Sequence, residues 1–403
     1  GTLLLLFLFF LLSVARSQEL MPTQTVYISS SEGNDANDGT LFSPKRSINA
    51  LPDAMRKECR ILLKRGDVFY ENISGFDSCI ISAYGEGEAP LICGFRRLIS
   101  NKSWERESAN VWKLDLWEGD KFTGYPLPSG NELKDFNNLG FVYNETQDIV
   151  YGHLVSQKFL LETPGDIFTT DDSRPGQAFR YLSIVHNNPQ LSPDVFCIPV
   201  YACGITFLQN CYISNLAVQG FSLNGIDELY NCTVENCAVD LIGGSIRLNN
   251  DGDWTRQGNG IECWIEDENN SANKNLFQNC WISRVYGSGA AILGTNATTN
   301  AISNKFRENT FSACRQAFEY RLQGVRTADY IDCEFSGNIC YRMGENGFNS
   351  PQESDANFYS KESTPHKNRI KVYSNFFWGS NHTYLNSKFS ALDMKFNVVY
   401  IHK

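Results

Sequence analysis

The chain has 403 residues and a mass of 45.5 kDa, enough for two or three ordinary domains or one elongated β structure. Hydrophobic residues make up 42% and charged residues 20%, so a core can be buried and wholesale disorder is excluded. Its 35 Lys and Arg against 45 Asp and Glu leave a charge of −10, the wrong sign for nucleic acid or an anionic membrane as main partner.

Residues 1–17 read as a secretory signal peptide. Leu3 to Val14 form an apolar run of about 12 residues, too short to span a bilayer comfortably and suited to an h-region. Ala15 and Ser17 are the small residues expected before cleavage, making Gln18 the mature N-terminus. A membrane anchor is the alternative reading of the same run. Asn-x-Ser/Thr sequons at Asn72, Asn101, Asn144, Asn231, Asn269, Asn296 and Asn381 agree with secretion, as does the absence of a second apolar span. The expected protein is extracellular, with no membrane contact in the mature form, and monomeric.

Residues 18–100 hold short β runs. Val26-Tyr-Ile-Ser is followed by a turn-rich Gly33–Gly39 loop, and Pro44 to Lys57 is expected to form a capping helix over the first strands. Residues 101–190 are rich in Trp, Tyr and Phe, break the pattern and read as a β-rich insertion. Residues 191–403 carry a repeat. Six segments place Asn or Asp between apolar residues and an alternating strand, at Asn210, Asn231, Asn279, Asn309, Asp332 and Asn375. Their intervals are 21, 48, 30, 23 and 43 residues. A period in the low twenties with β runs predicts an all-β fold, a right-handed parallel β-helix; 48 and 43 are read as two turns each. A leucine-rich repeat shares the period but needs a Leu-x-x-Leu-x-Leu frame that is missing. Stacked rungs bring like residues into register, so Asn at one phase should form an amide ladder.

The 13 cysteines of a secreted chain ordinarily imply disulfides. Here Cys211, Cys232 and Cys280 each follow an Asn and Cys333 follows an Asp, which predicts stacked, unpaired thiols; Cys59, Cys79 and Cys93 are the better disulfide candidates.

The segment from Thr25 to Ile48, a strand followed by Gly33-Asn-Asp, Gly39-Thr and Pro44, resembles the opening of secreted right-handed parallel β-helix proteins of the pectate-lyase-like superfamily. The interruption around Asn110-Val-Trp-Lys-Leu and Tyr181 to Pro189 is similar to inserts in β-helical glycosidases. The resemblance implies a carbohydrate-active protein, a glycoside hydrolase or a polysaccharide lyase, acting on a polysaccharide or oligosaccharide. The Asn-Thr-Asp and Gly-His-Gly signatures of polygalacturonases are absent.

The site is read from residue chemistry. Carboxylates act as acid, base or nucleophile on a glycosidic bond. Glu262 lies among apolar residues in Asn259-Gly-Ile-Glu-Cys-Trp264, where burial would raise its pKa as a general acid requires. An exposed Glu alternating with core Ile261 and Cys263 is the plainer alternative. Asp240 and Glu319 fall at similar distances after their repeat Asn. If Glu262 occupies an intervening rung, Asp240 is one step away and Glu319 two, about 5 and 10 Å. Trp254, Arg256, Asn259, Trp264, Arg284, Tyr286 and Arg321 are candidate substrate contacts. Elimination on a uronic-acid glycan would need a base and a cation instead, for which Arg256, Arg284, Arg315, Arg321 and Tyr286 are available. No cofactor is predicted; Ca²⁺ on Asp251, Asp253 and Asp267 is the one option the residues leave open. A non-catalytic glycan-binding or matrix β-helix is the third reading.

Overall fold

The computed structural model describes residues 22–116, 136–137, 140–170, 180–248, 254–295, 297–323, 328–348, 356–360, 366–378, 383–386 and 391–400. The expected signal peptide, Asp251, Asp253 and the sequons at Asn296 and Asn381 lie outside them. Among the described residues no helix is long and apolar enough to cross a membrane.

The chain winds as a parallel β-helix with three faces. Among the described residues the first face is a 10-stranded sheet running from Gln24–Ile28 to Leu392–Lys395. Its strands pair in parallel and in register, Val26 with Ile61, Ile61 with Ile81, and on to Phe277 with Phe306 and Phe306 with Phe335. These inward residues are fully buried. Phe277 and Phe306 stack at 5.0 Å between ring centroids. Each such side chain taken from water contributes about 1.5–3 kcal/mol, and no single turn could enclose it alone. Among the described residues the second and third faces form one 15-stranded sheet, because Trp281–Thr295 and Thr310–Gln323 run unbroken around the corner between them.

Each turn bends sharply on either side of its first-face strand. Asn210, Asn231, Lys274, Ser303 and Asp332 take positive φ before the strand; Asn215, Asn236, Asn279, Glu308 and Ser374 take it after the strand. Among residues with a side chain, Asn and Asp tolerate this conformation best, which explains their recurrence. The same signature thus appears twice per turn. The six sequence segments mix the two corners: Asn210, Asn231 and Asp332 precede the first face, whereas Asn279, Asn309 and Asn375 follow it. The reading of 48 and 43 residues as double turns is corrected. Thr233 pairs directly with Leu276, and Glu334 with Lys371, so each interval is one turn carrying an insertion plus the next first-face strand.

The residue behind each bend points inward and carries the ladders. The Asn309 N–H donates to Asn338 Oδ1 at 2.9 Å, and the Asn338 N–H to Asn375 Oδ1 at 2.8 Å. Their side-chain amides donate to the carbonyls of Phe277, Phe306 and Phe335. Cysteines fill the same positions in earlier turns: Cys59, Cys79, Cys211 and Cys232 at one corner, Cys237 and Cys280 at the other. All 13 are free. The disulfide expectation for Cys59, Cys79 and Cys93 is corrected: Cys79 Sγ accepts the Cys59 N–H at 3.4 Å and its thiol faces the Arg56 carbonyl at 3.3 Å, as a small buried group packed rung on rung.

The expected capping helix at Pro44–Lys57 is only a single 3₁₀ turn, Asp53–Arg56. The buried Glu71 carboxylate takes the Ile48 and Asn49 N–H groups, 2.8 Å each, and Pro52 is held extended, so no α-helix propagates. Ile48 and Leu51 still plug the core.

The helix breaks off after Leu91–Cys93 and resumes at Cys203–Thr206. Between them lies the insertion, whose outermost strands, Phe95–Arg97 and Phe196–Pro199, pair antiparallel. Its own core holds Trp104, Trp112, Leu182, Ile184 and Phe196. It docks on the helix through Phe141 against Phe348, with centroids 4.9 Å apart.

Candidate functional site

The third face carries an outward row of acids. Its strands Asn224–Ile226, Ile261–Trp264, Trp281–Thr295 and Thr310–Gln323 lie side by side. Ile226 pairs with Ile261, so the residues that follow, Asp227 and Glu262, stand next to each other. Glu262 pairs with Ala291, Ala291 with Glu319, and Glu319 with Tyr359. The row therefore reads Asp227, Glu262, Ala291, Glu319, Tyr359. Parallel strands lie about 4.8 Å apart, which puts the Glu262 and Glu319 backbones about 10 Å apart with only a methyl group between them.

A second row, three residues back, positions the first. The stretch Asn224-Gly225-Ile226-Asp227 is echoed by Asn259-Gly260-Ile261-Glu262. The glycines permit the close approach of these rungs, since a Cβ on Gly225 would sit 2.6 Å from the Gly260 carbonyl oxygen. The Asn259 N–H donates to Asn224 Oδ1 at 2.9 Å and the Ser288 N–H to Asn259 Oδ1 at 2.8 Å. Both side-chain amides are thereby turned, presenting their NH₂ groups to the acids. Asn224 Nδ2 donates to Asp227 Oδ2 at 3.0 Å and to Glu262 Oε1 at 3.3 Å. Asn259 Nδ2 donates to Glu262 Oε2 at 2.6 Å. The Ser288 hydroxyl lies 3.2 Å from Glu319 Oε2 and from Gln316 Oε1.

Burial pushes Glu262 up from the ordinary 4.5 to about 7; the Asp227 charge and, less strongly, that of Glu319 add to it, against the lowering pull of the Asn259 and Asn224 amides. Glu262 and Glu319 are half-buried, whereas Asp227 is only 6% exposed. A carboxyl that holds its proton near neutrality while facing solvent is equipped to protonate a leaving group.

The structure brings Glu262, Glu319 and Asn259 together. Trp264 and Arg321 lie on the same strands as Glu262 and Glu319, two residues further on, joined by the pairs Trp264–Leu293 and Leu293–Arg321. Asp240 is elsewhere. It pairs with Ser283 on the second face, so the expected single step to Glu262 is corrected: the two belong to one turn, separated by the Ser245–Leu248 and Trp254–Gln257 hairpin. Its carboxylate accepts from Ser283 Oγ at 2.8 Å, from Gln219 Nε2 at 3.2 Å and from Arg284 Nε at 2.9 Å. Arg284 also pairs with Asp148 of the insertion, and Tyr143 donates to Asp148 at 2.8 Å. Asp240 and Arg284 therefore clamp the insertion to the helix. Arg256 lies over the Tyr286 ring at 4.5 Å and donates to the Gly244 and Gly140 carbonyls at 3.1 and 2.9 Å, bracing the hairpin. The Trp254 side chain lies outside the described residues. Asp267 accepts N–H bonds from Asn269 and Asn270 within its own bend. Among the described residues, no group of three or more His, Cys, Asp or Glu is placed to hold a metal ion.

Sequence reasoning missed Asp227, Asn224, Ser288 and Gln316. The signal was present: polar residue, small residue, apolar residue, then acid recurs as Asn224 to Asp227, Asn259 to Glu262 and Gln316 to Glu319.

No family model matches the chain, and no curated protein matches it. Among solved structures, it is similar to XylC, described as a complex with xylose, at 12% identity and a TM-score of 0.53, over 92% of this chain and 68% of that one. It is also similar to a structure described as a glycoside hydrolase, at 10% identity and a TM-score of 0.50, over 94% and 96% of the two chains. The parallel β-helix fold is shared with these two structures. At these identities the likeness speaks for the fold, and the chemistry has to rest on the row of acids.

Proposed function

We propose that the protein is a secreted glycoside hydrolase that cleaves a polysaccharide or oligosaccharide laid across the third face. Glu262 is the general acid and Glu319 the general base. The observation that carries this reading is their place in one outward row with Ala291 between them. Glu262 protonates the leaving oxygen. Glu319 takes a proton from a water that attacks the anomeric carbon from the opposite side of the ring, and the gap over Ala291 leaves room for that water. Two rungs, about 10 Å between backbones, bring carboxyls into the roughly 6.5–9.5 Å range of inverting enzymes. Asp227 is a poor nucleophile, because it is buried and Asn224 and Cys203 already occupy Oδ2. Trp264 and Arg321, beside the acids, offer an aromatic surface and a cation to the sugar.

The test is release of reducing ends from a broad panel of plant, algal and microbial glycans. Glu262→Gln and Glu319→Gln should each lower turnover by about 10²–10⁴-fold. Full activity in Glu262→Gln removes the reading. An unsaturated, ultraviolet-absorbing product would point to elimination instead.

A further inference from the structure

Asp227 has no place in the hydrolytic step, yet the row is built around it. It is 6% exposed, and its Oδ1 is shut off from solvent with no hydrogen-bond partner among the described residues. An uncompensated buried carboxylate oxygen is expensive, so its retention calls for a use. Its other oxygen is tied by the Asn224 amide and by the Cys203 thiol at 3.1 Å. The same Asn224 nitrogen also reaches Glu262 Oε1 at 3.3 Å, so one amide bridges the two acids. Asn224 cannot turn away, because its Oδ1 holds the Asn259 N–H.

We propose that Asp227 is a positioning residue for the proton on Glu262: its buried carboxylate, one rung away and linked through the Asn224 amide, keeps Glu262 in the acid form and fixes its orientation. This deepens the hydrolase reading by naming what sets the pH range of the site. Among the described residues the charged groups around Glu262 are these. Asp227 lies on the preceding rung and Glu319 two rungs on; the intervening rung offers only Ala291. Trp264 and Arg321 flank the row, and the Cys203 thiol meets Asp227 from the rung before. Glu228, next to Asp227, is itself pushed to about 7 by burial, with Asp227 and Glu266 adding to it, so it must be assigned separately.

Carboxyl-carbon NMR of the full chain, labelled in Asp and Glu, tests the proposal without a substrate. In the wild type the Asp227 carbon should show a secondary inflection at the pH where Glu262 titrates. In Asp227→Asn the Glu262 midpoint should fall by about one pH unit or more. Where a glycan substrate is in hand, the alkaline limb of the rate profile should move to lower pH by the same amount. An unmoved Glu262 midpoint overturns the proposal. If Asp227→Asn does not fold, a wild-type Asp227 carbon that ignores the Glu262 titration overturns it equally. Wild-type activity in Glu262→Gln would end the hydrolase reading while leaving these titrations intact, so the two failures are distinguishable.

Discussion

Replacing Glu262 by Gln should change how stability depends on pH, in a direction the site dictates. Burial, reinforced by Asp227, raises this carboxyl from 4.5 to about 7. The folded state therefore prefers the protonated acid. For a raised pKa, the stabilising contribution is complete below the unfolded value and is lost as pH climbs through the folded one. The window runs from about 4.5 to about 7. At 1.36 kcal/mol per unit, the shift corresponds to an order-of-magnitude ceiling of about 3 kcal/mol. Gln cannot ionise, so Glu262→Gln escapes this loss. Its amide does face the NH₂ groups of both Asn224 and Asn259, a mismatch of about 1–3 kcal/mol that is independent of pH. Urea unfolding of both proteins at several pH values between 4.5 and 8.5 separates the two effects. The difference between the curves should move in favour of the variant by up to about 3 kcal/mol across that range. Parallel curves would refute the assignment of a buried, proton-holding carboxyl to this position.

Other outcomes follow from the same packing. Asn338→Ala leaves the Asn309 N–H and the Phe306 carbonyl without partners inside the ladder, and should lower unfolding free energy by about 2–4 kcal/mol in thermal or urea melts. Arg284→Ala breaks the clamp between Asp240 and Asp148; proteolysis should then attack the insertion faster while turnover number stays near wild type. Alkylation in denaturant without reductant should label all 13 thiols by intact mass, and any shortfall would reveal a disulfide. Expressed through a eukaryotic secretory route, the protein should carry glycan at exposed Asn269 and none at Asn144, which is 0% exposed, as read by peptide mass spectrometry.

The coiled architecture was legible because its physics is periodic. Repeated Asn before short strands, and cysteines in the same phase, state the need for positive φ at a corner and a small buried group behind it. The phase itself was misread, since the corners before and after the first face use the same chemistry, and Asn279 imitates Asn231. That slip put Asp240 one rung from Glu262, whereas pairing places it on another face. Glu262 stood out from its apolar surroundings. Asp227 did not, because Ile226 and Leu229 around it look like any half-buried strand. Only the echo of Asn224-Gly-Ile-Asp in Asn259-Gly-Ile-Glu marks it. The capping helix failed for a tertiary reason: Glu71 captures the N–H groups of Ile48 and Asn49 from outside the segment.

Proton NMR of the first anomer released from the best glycan substrate tests the Glu262–Glu319 pairing most directly. Water delivered across the Ala291 gap gives a product of inverted configuration at the earliest times, before mutarotation. A retained anomer would contradict the account, since it requires a nucleophilic carboxylate one rung from the acid rather than two.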